Sequence, residues 1–240
     1  MLSYFSAALQ NIVRLPYEKA SEDGVKYLAV IGPVGAGKTY VSRHLCDEAE
    51  KMHIPASYLG FDSYLRLSSS ERKRMLQEAD ASQNPELVAL ATNQLEWYDF
   101  VALNRDLSQL KEGSHIHRQS VYSKETGELD AVLDVSTQDL LARSNGTAPL
   151  LVIDGTYLLH DGLRNLFDAV VFLYANDEVR LERLRRRDSH RRTPKEIKRQ
   201  FIIAYESQMP YFRLYCESVD AVALNNERFE LISANVKDLL

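Results

Sequence analysis

The residues Gly32-Pro33-Val34-Gly35-Ala36-Gly37-Lys38-Thr39 follow the pattern G-x-x-x-x-G-K-T. Glycines at those spacings let backbone amides turn inward around anionic oxygens. The lysine ammonium then reaches the terminal phosphates of a nucleotide, and the threonine hydroxyl is left for Mg²⁺. Gly32, Gly35, Ala36, Gly37, Lys38, Thr39 and the following Tyr40 are therefore candidate nucleotide-binding residues. A plain glycine-rich turn is the alternative, and the flanking sequence argues against it. The apolar run 27–31 reads as a buried parallel strand, and Val41, Leu45 and Ala49 recur at helical spacing after the loop.

Two carboxylates extend this chemistry. In an open parallel sheet, ligands bind beyond the carboxyl ends of the strands. Asp62 follows the apolar stretch 56–61 and Asp154 follows Leu150-Leu151-Val152-Ile153, so both belong at that end with the loop. Metal-assisted phosphoryl transfer to an alcohol needs one carboxylate to help fix Mg²⁺. A second accepts the hydroxyl proton, a contribution of roughly 10²–10⁴-fold in rate. Thr39 and Asp154 suit the metal, and Asp62 suits the proton. Without the loop, Asp62 would read as a helix N-cap and Asp154 as the first residue of an Asp-Gly turn.

A third feature is charge. The chain is acidic overall, with 29 Lys and Arg against 34 Asp and Glu and a net charge of −5, which argues against nucleic acid or an anionic membrane as partner. Segment 180–199 nevertheless holds ten basic residues against Glu182, Asp188 and Glu196. Arg180, Arg183, Arg187 and Arg191 are spaced to form one helical stripe. Facing a phosphate site, such a stripe would close as a lid, and Arg183 and Arg187 are its candidate catalytic members. Arg185, Arg186 and Lys198 read as a solvated face.

The 240 residues, 45% of them hydrophobic, suit a single α/β domain spanning the whole chain. Strands are expected at 27–31, 56–61, 150–153, 169–174 and 221–224. Helices are expected at 68–79, opened by the Ser68-x-x-Glu71 capping box, and at 85–97, 99–111, 177–191 and 194–217. Strands alternating with helices imply a parallel sheet covered on both faces. Residues 115–135 break the rhythm with two extended stretches around Glu125-Thr126-Gly127-Glu128, an inserted β-hairpin flap. His115 and His117 share one face of it, which makes His117 a pocket-edge candidate. Residues 1–20 carry Leu2, Phe5, Leu9 and Ile12 on one helical face, a packing or dimer-contact helix that leaves homo-oligomerisation open, and they lack the basic start of an export signal. Cys46 and Cys216, with no metal-ligand spacing, read as reduced thiols of a cytoplasmic protein.

This order of motifs resembles the uridine kinase and phosphoribulokinase family of P-loop kinases over residues 27–224. The matching stretches are the loop, Phe61-Asp62-Ser63-Tyr64, Trp97-Tyr98-Asp99 with the helix to Lys111-Glu112-Gly113, Val121-Tyr122, Val152-Ile153-Asp154-Gly155, and Val179-Arg180-Leu181 with Arg183, Arg187 and Asp188. The resemblance implies the P-loop NTPase fold: five parallel strands, helices on both faces, a hairpin over the acceptor and a helical arginine-rich lid at 177–199. It implies Asp62 as general base, Tyr64 and Tyr122 in the acceptor pocket, and Arg180, Arg183 and Arg187 as substrate and lid contacts. Asn93 falls near an acidic acceptor contact of uridine kinases. Two departures stand out. Ser123-Lys124-Glu125-Thr126-Gly127 replaces the aromatic and His-x-Arg that follow this tyrosine in uridine kinases and is closer to phosphoribulokinases, and Asp154 replaces a Glu.

The expected function is an ATP- and Mg²⁺-dependent kinase acting on a hydroxyl of a small metabolite, a nucleoside such as uridine or cytidine first. Sugar-phosphate, pantothenate and glycerate kinases are the alternatives. A nucleotide-binding regulatory protein is the reading from a different class, and the absence of an Asn-Lys-x-Asp guanine motif speaks against one form of it.

Overall fold

The computed structural model of the chain describes residues 2–18 and 24–240. Helix α1, Leu2–Glu18, precedes β1, Lys26–Ile31, α2, Lys38–Lys51, and β2, Ala56–Gly60. Then come α3, Ser69–Ser82, α4, Pro85–Thr92, α5, Phe100–Lys111, and the hairpin strands β3, His115–Val121, and β4, Ala131–Ser136. The short α6, Thr137–Ala142, leads to β5, Leu150–Gly155, and β6, Ala169–Tyr174. The chain ends with α7, Asp177–Asp188, α8, Pro194–Tyr215, β7, Ala221–Asn225, and β8, Phe229–Ile232. The ends of the helix expected over 1–20 lie outside the described residues.

The main sheet runs β2-β5-β1-β6-β7-β8. The first five strands are parallel, as expected, and β8 adds a sixth, antiparallel to β7. Sequence reading misses β8 because it has four residues, one of them Glu230, and a short polar edge strand has no periodicity to detect. Alternation along β1 builds both cores: Tyr27, Ala29 and Ile31 enter the cluster with α5 and α8, whereas Leu28 and Val30 enter the one with α1 and α2. The central strands β1, β5 and β6 are thus buried on both faces, the reason their sequences are almost continuously apolar.

Register sets the site. Asp154 pairs with Val30 of β1 on one side and Gly60 of β2 on the other. Gly32 and Asp62 each lie two residues further along, so the loop, Asp62 and Asp154 emerge side by side.

Three local outcomes bear on function. The Ser68 capping box forms as the pattern predicts, with Ser68 accepting from the Glu71 amide and Glu71 returning the bond. The helix expected over 85–97 ends at Thr92, because Asn93 turns extended and its side-chain oxygen accepts from the Leu95 amide to start a separate 3₁₀ turn. The hairpin at 115–135 is present, and its inward residues Ile116, Val121, Leu133 and Val135 pack into the cluster with α5. No helix among the described residues is long and apolar enough to cross a membrane.

Candidate active site

The loop after β1 closes on two contacts that only glycine allows. Gly32 has φ 151°, and a Cβ there would lie 2.1 Å from the Leu173 carbonyl oxygen; Gly35 has φ 81°, and its Cβ would lie 2.7 Å from the Arg180 carbonyl oxygen. No side chain caps the start of α2, so its amides and dipole remain available to an anion. The Lys38 ammonium donates to the Gly32 and Pro33 carbonyls at 2.8 and 3.1 Å. Burial lowers its pKa to about 8, against the opposing pull of Asp154 and Asp62. A polyanion would restore that charge.

Asp154 is buried, and each of its oxygens is bonded: Thr39 Oγ1 donates at 2.7 Å and the Tyr58 hydroxyl at 2.6 Å. Asp62 faces it across the cavity and accepts from the Tyr98 hydroxyl at 3.2 Å, with Tyr98 held by its stack on Phe61. Between the two carboxylates lies Lys124, from the turn of the hairpin. Its ammonium is 3.1 Å from Asp62 Oδ2 and 3.8 Å from Asp154 Oδ2, and it donates to Thr39 Oγ1 at 2.8 Å. Burial would push the Asp62 carboxyl up, but the Lys124 and Lys38 charges outweigh it and hold Asp62 below its usual range. Lys124 is raised in turn, the two carboxylates overcoming its own burial.

A protein cation thus stands among a hydroxyl and two carboxylates. The donor set fits Mg²⁺, which is held by one or two carboxylates together with water and phosphate oxygens. No cluster of three or more His, Cys, Asp or Glu side chains that could hold a metal without such help exists among the described residues.

Lys38, Thr39, Asp62, Lys124 and Asp154 line one cavity of about 200 Å³. Arg187 and Tyr122 also line it, as do Gln94, Arg72, Arg191 and Arg192. Gln208 ties α8 to the loop: its amide oxygen accepts from Val34 N at 2.9 Å, and its nitrogen donates to Gln94.

The arginine stripe divides. Arg180 is fully buried, its Nε donating to the Val34 carbonyl at 2.8 Å and an Nη to Asp177. Arg183 donates to the Ala36 carbonyl and, beyond it, to the Asn225 carbonyl. Both brace the loop from behind and do not line the cavity, because the loop passes over the first half of α7 and leaves only its end open. Arg187 reaches the cavity, and Arg187, Arg191 and Arg192 all pair with the buried Asp188. Despite burial, those guanidiniums depress the Asp188 carboxyl to about 2. A carboxylate depressed in the fold contributes stability that is complete above its ordinary pKa and is lost as pH falls through the lowered one. Asp188→Asn is therefore expected to lower stability by roughly 2 kcal/mol at pH 7. Urea unfolding should show the gap from the native protein closing between about pH 4 and pH 2.

Four other candidates lie elsewhere. Tyr64 turns inward, its hydroxyl bonded to buried Asp106 at 3.1 Å. Asn93 borders a separate outer groove beside Pro210. His117 is exposed on the hairpin and, like His115, bonds Asp134. Tyr40 is exposed, stacked against His44 with ring centres 4.1 Å apart. Conversely, Lys124, Arg72 and Tyr58 emerge from the fold. The one signal for Lys124 was the departure after Tyr122, and Arg72 looked like any helix-surface charge.

A glycine-rich loop at the head of a doubly covered parallel sheet, with two strand-end carboxylates beside it, defines a P-loop kinase fold. The chain belongs to the phosphoribulokinase / uridine kinase family, whose model matches residues 27–223. It is accordingly an ATP-dependent phosphotransferase with an alcohol group as acceptor. Among solved structures it is similar to a possible uridine kinase from Bacillus stearothermophilus, at 17% identity and TM-score 0.56, covering 90% of this chain and 97% of that one. It is similar to D-glycerate 3-kinase from Cryptococcus neoformans var. grubii, at 16% identity and TM-score 0.56, covering 95% and 96%. It is also similar to phosphoribulokinase from Rhodobacter spheroides, at 14% identity and TM-score 0.56, covering 85% and 71%. At those identities the likeness concerns the fold. The sequence matches none of the curated proteins.

Proposed function

We propose that the protein transfers the γ-phosphate of ATP to a hydroxyl of a small metabolite, with Asp62 as the base. The observation that carries this reading is Lys124: one ammonium touches both Asp62 and Thr39 and lies beside Asp154. The proton acceptor and the metal-holding pair are therefore no further apart than the contacts of a single cation, the spacing at which an attacking oxygen and a terminal phosphate would meet.

The loop amides and Lys38 would hold the β- and γ-phosphates. Thr39 and Asp154 would hold Mg²⁺, which supplies neutralisation of phosphate charge when bound. Asp62, kept ionised by its lysine neighbours, takes the hydroxyl proton at Oδ2 or Oδ1, and the Tyr98 hydroxyl fixes the carboxylate's orientation. Arg187 stands at the cavity wall to stabilise migrating negative charge. Tyr122 borders the acceptor side. The nucleoside that the order of motifs puts first is one acceptor this machinery would serve.

Measuring ADP release across nucleosides, sugar phosphates and small hydroxy acids tests the reading. Release stimulated by an acceptor is the expected result. Slow release indifferent to every acceptor would mark a hydrolase or a nucleotide switch instead.

A further inference from the structure

The cavity wall beyond Asp62 combines apolar groups, Leu65, Leu76 and Ile203, with an excess of positive charge. Arg72, from α3, is nine-tenths buried. Its guanidinium lies over the Tyr122 ring at 4.7 Å and donates to the Leu67 carbonyl and to Ser69 Oγ, and it forms no ion pair with any carboxylate among the described residues. Arg191 spends one Nη on Asp188 at 2.8 Å; its Nε and other Nη are buried without a hydrogen-bond partner. Both arginines line the same cavity, and both stand near Ser69 and the hairpin turn. A Cβ placed on Gly127 of the hairpin turn would lie 2.6 Å from Arg191 Nη1 and 2.9 Å from Ser69 Oγ, the hydroxyl that Arg72 and Tyr122 share.

Among the described residues, Asp188 is the one carboxylate ion-paired with Arg187, Arg191 and Arg192, so the cluster keeps a positive excess even when that acid is ionised. Guanidinium N–H groups left unmade in a buried place are costly, and bidentate capture of a carboxylate or phosphate is the arrangement that satisfies them. A neutral nucleoside would leave them as they are.

Resting on the kinase reading above, we propose that the acceptor carries an anionic group of its own, a phosphate or a carboxylate, bound by Arg72 and Arg191 while its hydroxyl faces Asp62. Substrate selection then comes from charge at the far wall of the cavity, in addition to the fit around the reacting oxygen.

The test is ADP release with matched pairs: pentose 5-phosphates against free pentoses, short hydroxy acids against their amides, and neutral nucleosides. One anionic member should exceed its neutral partner in kcat/KM by about 10²-fold or more, since a site built on polar partners rejects an analogue that lacks them. The pair that responds separates phosphate from carboxylate. Arg191→Met should raise the KM for that acceptor about 10-fold or more while kcat and the KM for ATP stay within about threefold, and Arg191→Lys should recover part of the loss. Calorimetric ATP binding by each variant reports whether it folds, and Arg72→Met provides the same readout should Arg191→Met fail that check. A neutral nucleoside used as well as any anion, or variants that raise the KM for ATP instead of the acceptor's, would overturn the proposal and leave the kinase standing. Release unaffected by every acceptor would remove the kinase reading and this inference with it.

Discussion

Asp62→Asn is expected to cut turnover by about 10²-fold or more while ATP affinity stays within a few-fold. The amide keeps the shape of the side chain and its contact with the Tyr98 hydroxyl, but it cannot accept a proton from the attacking alcohol. The groups proposed to hold the triphosphate, the loop amides and Lys38, are not touched by the substitution. ADP release under saturating acceptor and calorimetric ATP binding separate the two effects. A near-normal rate would remove Asp62 from the role of base. The pH profile carries the same information. A carboxyl held below its usual range is fully ionised above the ordinary carboxylate pKa, so activity should persist down to that range and fall only as pH drops through the lowered value.

Lys124→Met should cost about 10²-fold in kcat, the scale on which a preorganised charge acts in an enclosed site. It should also move the acid limb of the pH profile to higher pH. Burial alone raises the Asp62 carboxyl, and Lys124 is the largest of the charges opposing that effect. Without the ammonium, only the weaker pull of Lys38 and Arg187 opposes the burial of Asp62, so its carboxyl takes up a proton more readily. A limb that stays where it is in the native protein would show that Lys124 merely fastens the hairpin. Unfolding in urea measures that fastening separately, through the lost bonds to Asp62 and Thr39.

A linear pattern carries those features of the molecule that depend on contiguous residues. The phosphate loop was legible because its function is a property of contiguous backbone: glycines at set spacings give the same turn wherever a strand and helix flank them. Asp62 and Asp154 were legible because a strand's end is visible as the end of an apolar run, and a parallel sheet brings such ends together. The five parallel strands and the Ser68 capping box are local in the same sense. By contrast, helical spacing aligned Arg180, Arg183 and Arg187, while Arg191 lies beyond the expected stripe because α7 ends at Asp188; spacing states which residues share a face and not what covers it. The loop lies over the first two, so they brace its carbonyls; only the last two reach open space.

By itself, then, the sequence determined a glycine-rich loop of the G-x-x-x-x-G-K-T pattern and two strand-end carboxylates, because each is marked by neighbours within a few residues. The tertiary structure alone decided that Lys124 stands between the carboxylates, that Tyr64 turns to Asp106, and that Arg72 and Arg191 line the same cavity. Those outcomes join α3, the hairpin and α7 with the turn after it through contacts between segments far apart in the chain, which no local spacing encodes.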